Sequence, residues 1–219
     1  MPQPLRTEFA GAWFHVTARA VWGRELFADD EDRRFFLSRL ARTVARYGWR
    51  CTGYCLLSTH HHLLVRLTRP NLAFGMQELH SVHARRFNAR HGRRGHVFSE
   101  RYEPTLMRDE VHVLQAHRYV ALNPVAAGVA PTPEGWRWSS HAATVARRKA
   151  PALLDPRPLL ELLAGDATAA RARYATFVSA ASAPTASAPP ASASCSPTSL
   201  AGASHTVPSG GSVTSADHC

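Results

Sequence analysis

Tyr54-Cys55-Leu56-Leu57-Ser58-Thr59-His60-His61-His62-Leu63-Leu64-Val65 is the stretch on which the fold turns. The apolar residues on both sides of the histidines favour β-strand, and in a strand alternate side chains share a face. His60 and His62 therefore project together, where two imidazoles can hold one metal ion, and His61 points to the opposite face. A buried imidazole is costly unless something binds it, so the triplet demands partners on both sides of a sheet. Ser58 and Thr59 mark the junction between two strands, or the bend of one long strand pair.

Working outward, Trp13-Phe14-His15-Val16-Thr17-Ala18-Arg19-Ala20-Val21 reads as an earlier strand. Between the two lies a helix from about Asp30 to Tyr47. The acidic run Asp29-Asp30-Glu31-Asp32 suits its N-terminus, Gly48 ends it, and Phe35, Phe36, Leu40, Val44 and Tyr47 recur at helical spacing. After the triplet comes a second helix from about Leu72 to Arg90, stopped at Gly92. Residues 96–107 read as extended, and a third helix begins after Asp109 and ends near Asn123 and Pro124. The order is βαββαβ with a helix appended: an α+β, ferredoxin-like antiparallel sheet with helices packed on one face. Such a sheet leaves its other face free for a ligand.

Composition bounds the rest. The net charge is +10, and Lys149 is the only lysine among the basic residues. A surplus of this sign points to a polyanion partner, most often nucleic acid. The cysteines Cys51, Cys55, Cys195 and Cys219 form neither a zinc-finger nor a disulfide pattern and read as reduced thiols. No apolar run approaches the roughly 18 residues of a membrane span, and no signal segment opens the chain, so a soluble cytoplasmic protein with no membrane partner is expected. From residue 179 onward Ala, Ser, Pro, Thr and Gly dominate, a composition too poor in apolar bulk to offset ordering entropy. The expected organisation is a domain over residues 8–150, a short helical appendage over 151–178 with a stripe of Leu159, Leu160, Leu162 and Leu163, and a disordered tail over 179–219.

Three groups of residues could carry chemistry. On the third helix Tyr119 and Asn123 lie one turn apart on one face. A helical tyrosine equally serves a core or an interface, and an asparagine before proline equally marks a helix end. Combined with His60 and His62, a polar helix side chain could complete an open three-ligand metal site. The basic run Arg85, Arg86, Arg90, Arg93 and Arg94 continues to Arg101 and interleaves with Phe87, Phe98 and Tyr102. That mixture suits a nucleic-acid groove, in which guanidinium groups meet phosphates and rings stack on bases. Trp136-Arg137-Trp138-Ser139-Ser140 reads as a structural clamp that packs the C-terminal segment onto the domain.

Four segments resemble one family, in the family's order. The stretch from Tyr54 to Leu64 resembles the strand motif of HUH endonucleases. Arg93-Arg94-Gly95-His96-Val97-Phe98-Ser99-Glu100-Arg101-Tyr102 resembles the segment that follows in insertion-sequence-200-like and REP-associated tyrosine transposases. Arg118-Tyr119-Val120-Ala121-Leu122-Asn123-Pro124-Val125-Ala126-Ala127-Gly128 resembles their catalytic helix, and the tryptophan clamp their closing motif. The resemblance covers about residues 10–145. It implies Tyr119 as nucleophile, and His60, His62 and Asn123 as ligands of Mg²⁺ or Mn²⁺. It also implies single-stranded or hairpin DNA as partner, contacted by the arginines above together with Arg118, and a protein acting as monomer or homodimer. Two positions depart from the pattern. His61 stands where an apolar residue is usual and must be neutral and hydrogen-bonded if buried, and Ser58-Thr59 replaces a common Pro-Asn pair.

The implied reaction is cleavage and rejoining of DNA through a 5′-phosphotyrosine, with Tyr102 as the rival nucleophile. Two other readings remain: a non-catalytic hairpin-binding regulator derived from a transposase, and a metal-dependent hydrolase using His60, His62 and a carboxylate such as Glu100.

Overall fold

The computed structural model describes residues 8–180. Its core elements follow in the order β1 (Trp13–Arg19), α1 (Asp30–Tyr47), β2 (Arg50–Leu56), β3 (His60–Arg66), α2 (Leu72–Arg90), β4 (Glu103–Met107) and α3 (Glu110–Ala126). Beyond them lie the short helices α4 (His141–Thr144) and α5 (Arg157–Leu160) and then α6 (Ala167–Ser179). The four strands form one sheet in the order β2-β3-β1-β4, every neighbouring pair antiparallel, which is the ferredoxin-like arrangement.

Local chemistry explains the helix ends. The Asp29 carboxylate accepts from the backbone N–H groups of Glu31 and Asp32, and Gly48 closes α1 in the left-handed conformation that glycine adopts without strain. Asp109 caps α3 through the N–H of His112. At the other end α3 runs past the expected stop to Ala126, with Pro124 inside its last turn. Proline's fixed φ is helical, and so near the C-terminus its missing N–H leaves only one helix bond unmade. The extended stretch is also shorter than expected. Only Glu103–Met107 joins the sheet, while the preceding segment touches it at a single bridge between Ala20 and Phe98.

The sheet separates two cores. Phe36, Leu40, Met76, Leu79 and Phe87 of α1 and α2 pack on the first face against Val16, Leu63 and Val65. The second face is not left free. Val113, Ala116 and Val120 of α3 cover part of it with Leu159, Tyr174 and Val178 of the C-terminal helices. The expected helical appendage is broken into α5 and α6: Leu159 and Leu160 are buried on α5, and Leu162 and Leu163 lie partly buried in the turn between the two helices. A bulge between Cys51 and Gly53 puts an extra residue in β2, and Cys51 and Cys55 consequently fall into opposite cores. The tryptophan clamp forms as expected: Trp136 Nε1 donates to the Leu56 carbonyl, Trp138 Nε1 to Asp30, and Leu56 N to the Trp138 carbonyl. Most of the tail expected to be disordered, residues 181–219, lies outside the described residues. Among the described residues no helix is long and apolar enough to cross a membrane.

Candidate active site

Strand alternation sends the triplet where the period of two requires. His61 enters the first core, fully buried, with its Nε2 2.9 Å from His80 Nε2 and its ring beside Phe36. Burial, followed by the neighbouring His80, holds its pKa well below the ordinary histidine value, so it is neutral. The departure at the middle position is thus accommodated by a second histidine on α2.

His60 and His62 emerge on the second face under α3, with ring centroids 5.1 Å apart. His60 Nε2 lies 3.3 Å from Asn123 Oδ1, and its Nδ1 is 3.1 Å from Thr59 Oγ1. Tyr119, one helical turn before Asn123, places its ring centroid 5.5 Å from that of His62. About half of the tyrosine surface is open to solvent at 49%, so it is not a core residue. The rival Tyr102 is buried at 5% in the first core beside His80, across the sheet from these groups.

Three residues of β1 belong to this site although nothing in the sequence singled them out. His15 Nε2 is 2.9 Å from His62 Nδ1, and Thr17 Oγ1 is 3.2 Å from the same atom. These contacts fix the His62 ring through its Nδ1, while its Nε2 is buried with no hydrogen-bond partner. Arg19 pairs directly across from His60 in the β1–β3 register. The signal for all three was the same alternation, since residues 15, 17 and 19 of β1 share a face. What was missing was the register that sets them against His60 and His62.

The electrostatics suit ligation. Burial first, then Arg19, lowers the pKa of His60; burial first, then His15, His60 and Arg19, lowers that of His62. Burial takes His15 down to about 4. Neutral imidazoles are the form that binds metals. An orphaned, buried Nε2 on His62, whose ring lies beside that of His60, with His60 in turn against the Asn123 amide oxygen, is a donor set that fits a divalent ion. Among the described residues no group of three or more His, Cys, Asp and Glu side chains could hold a metal, so Glu100 is not brought to the histidines. Glu100 lines a cavity of about 630 Å³ between α2 and the segment before β4.

The arginines divide. Arg86 pairs with Glu31 at 2.6 Å, and Arg90 with Asp29, Glu31 and Asp32, so the acidic start of α1 neutralises the end of α2. Arg118 lies 4.5 Å over the Phe177 ring of α6. Arg85, Arg93, Arg94 and Arg101 are exposed, on α2 and the segment after it rather than on the face that carries Tyr119.

No family model and no curated protein matches the sequence. Among solved structures, a REP-associated tyrosine transposase bound to a REP hairpin superposes with a TM-score of 0.57 at 17% identity, over 77% of this chain and 94% of that one. The two share a fold. In this chain that fold is the four-stranded antiparallel sheet with its helices, the architecture that the order of elements in the sequence implied.

Proposed function

We propose that this protein is a metal-dependent single-strand DNA endonuclease and transposase of the HUH single-tyrosine kind, acting on hairpin-associated DNA. The observation that carries the reading is the convergence of a half-exposed Tyr119 with His60, His62 and Asn123 from a separate strand and helix. The fold shared with a transposase bound to a REP hairpin supports the substrate class, as does the net charge of +10.

His60 Nε2, His62 Nε2 and Asn123 Oδ1 would hold a Mg²⁺ or Mn²⁺ ion. The chemistry such an ion supplies is neutralisation and polarisation of a phosphate. Two imidazoles in the donor set favour Mn²⁺ over Mg²⁺, which prefers oxygen ligands. Arg19 adds positive charge beside His60 for the same phosphate. Tyr119 Oη attacks phosphorus in line and loses its proton to solvent; the bond from phosphorus to the 3′-oxygen breaks, and that oxygen takes up a proton. The products are a 5′-phosphotyrosine and a free 3′-hydroxyl, and the retained ester allows rejoining without ATP. His15 and Thr17 keep the His62 ring oriented during this step.

The test is incubation of the full chain with labelled hairpin oligonucleotides and Mn²⁺, followed by denaturing gels. A covalent adduct is expected with the wild type, and none with Tyr119→Phe or in EDTA. An adduct that persists in Tyr119→Phe refutes the nucleophile. Tight hairpin binding without an adduct under any divalent metal would instead indicate a non-catalytic binding module.

A further inference from the structure

Between β1 and α1 the chain makes a tight turn that the candidate active site does not use. Arg24 N donates to the Val21 carbonyl at 3.0 Å, and Gly23 takes a left-handed φ of 69° that the turn requires. The turn is held at both ends: Ala20 N donates to Thr59 O, Val21 N to Val97 O and Leu26 N to Ser58 O. At its tip stands Trp22, 97% exposed, the most exposed large hydrophobic residue among those described. A tryptophan normally buries roughly 200 Å², and this turn position accepts almost any residue, so the fold does not account for it.

The surroundings narrow what Trp22 meets. It lies between Arg19 and Arg24, both exposed and neither ion-paired with a described residue. Arg19 is the residue opposite His60. From Arg19 to Trp22 the chain spans at most about 10 Å, the length of about three stacked nucleotides at roughly 3.4 Å each. A flat aromatic on a rigid turn, flanked in sequence by two arginines that pair with no described carboxylate, matches the platform that single-stranded DNA uses for stacking. A purely apolar partner would not call for the two arginines.

We infer that Trp22 is a stacking platform for an unpaired nucleobase flanking the phosphate held at His60 and His62. This rests on the proposed function for the position of that phosphate. Trp22 positions the strand and takes no part in bond making.

The experiment measures Kd by fluorescence anisotropy at fixed salt, using hairpins with a single-stranded flank. Wild type, Trp22→Ala and Trp22→Phe are compared, with one flank base at a time made abasic. Trp22→Ala should weaken binding about ten-fold, Trp22→Phe by no more than about three-fold, and melting temperatures should not change. One abasic position should cost the wild type about ten-fold and cost Trp22→Ala nothing further. If Trp22→Ala leaves Kd and every abasic penalty unchanged while the Tyr119 adduct still forms, the stacking inference is overturned and the proposed function stands. The stacking inference is equally overturned if Trp22→Ala changes only the sedimentation of the protein, which would assign the residue to a protein interface. Absence of hairpin binding in the wild type overturns both.

Discussion

Acid should unfold this protein, and His117 allows the size of the effect to be worked out. This residue of α3 is 2% exposed, with Nδ1 2.8 Å from the Val113 carbonyl and Nε2 3.0 Å from Thr52 Oγ1. Burial, the largest influence, lowers its pKa from 6.5 to about 4. The unfolded chain therefore binds a proton that the folded chain refuses between those two values. Stability is complete above pH 6.5 and declines as pH falls toward 4, at about 1.4 kcal/mol per unit. At pH 5 this one residue costs about 2 kcal/mol, a large share of a typical total of roughly 5–15 kcal/mol. Urea titrations in EDTA, followed by tryptophan fluorescence from pH 8 to pH 5, measure the slope. His117→Gln should be about 1–2 kcal/mol less stable than wild type at pH 8, because it loses packing and a hydrogen bond. That gap should close by about 2 kcal/mol at pH 5. A gap that is constant across the range would refute the assignment of His117 as a buried neutral imidazole.

Three further outcomes follow from the packing and the charges. A Cβ on Gly75 would overlap the Trp49 ring at Cζ2, and Trp49 is pinned by its bond to Asn71. The clash of about 1–3 kcal/mol should outweigh the helix gain of about 1 kcal/mol, so Gly75→Ala lowers the urea midpoint; a rise would show that the ring can move. Burial pushes the Cys51 and Cys55 thiols up to about 12, so mass mapping after thiol labelling should find both unmodified in the native protein and modified in urea. Replacing Arg93, Arg94 and Arg101 by alanine should flatten the salt dependence of hairpin binding, whereas Arg90→Ala should chiefly lower the melting temperature; equal effects from both would contradict the division of arginines.

Local chemistry determined much of this protein from sequence. The caps at Asp29 and Asp109 and the stop at Gly48 set helix ends to the residue, because the groups that satisfy a helix terminus are its own chain neighbours. The period of two separated His61 from His60 and His62 without knowledge of any partner, and the spacing of Tyr119 and Asn123 put them on one helix face. What those faces meet was decided only by the tertiary structure. The register of β1 against β3 brought His15, Thr17 and Arg19 to the histidines, and hydrogen bonds between strands distant in sequence leave no local trace. The docking of α3 over the second face, where the sequence implied an open surface, set Tyr119 beside His62. The same long-range packing brought the acidic start of α1 against Arg86 and Arg90 and laid Arg118 on Phe177, so residues read as one basic surface serve different ends. Sequence determines which groups a face carries; the opposing face, and so the chemistry, depends on burial and pairing that only the folded chain provides.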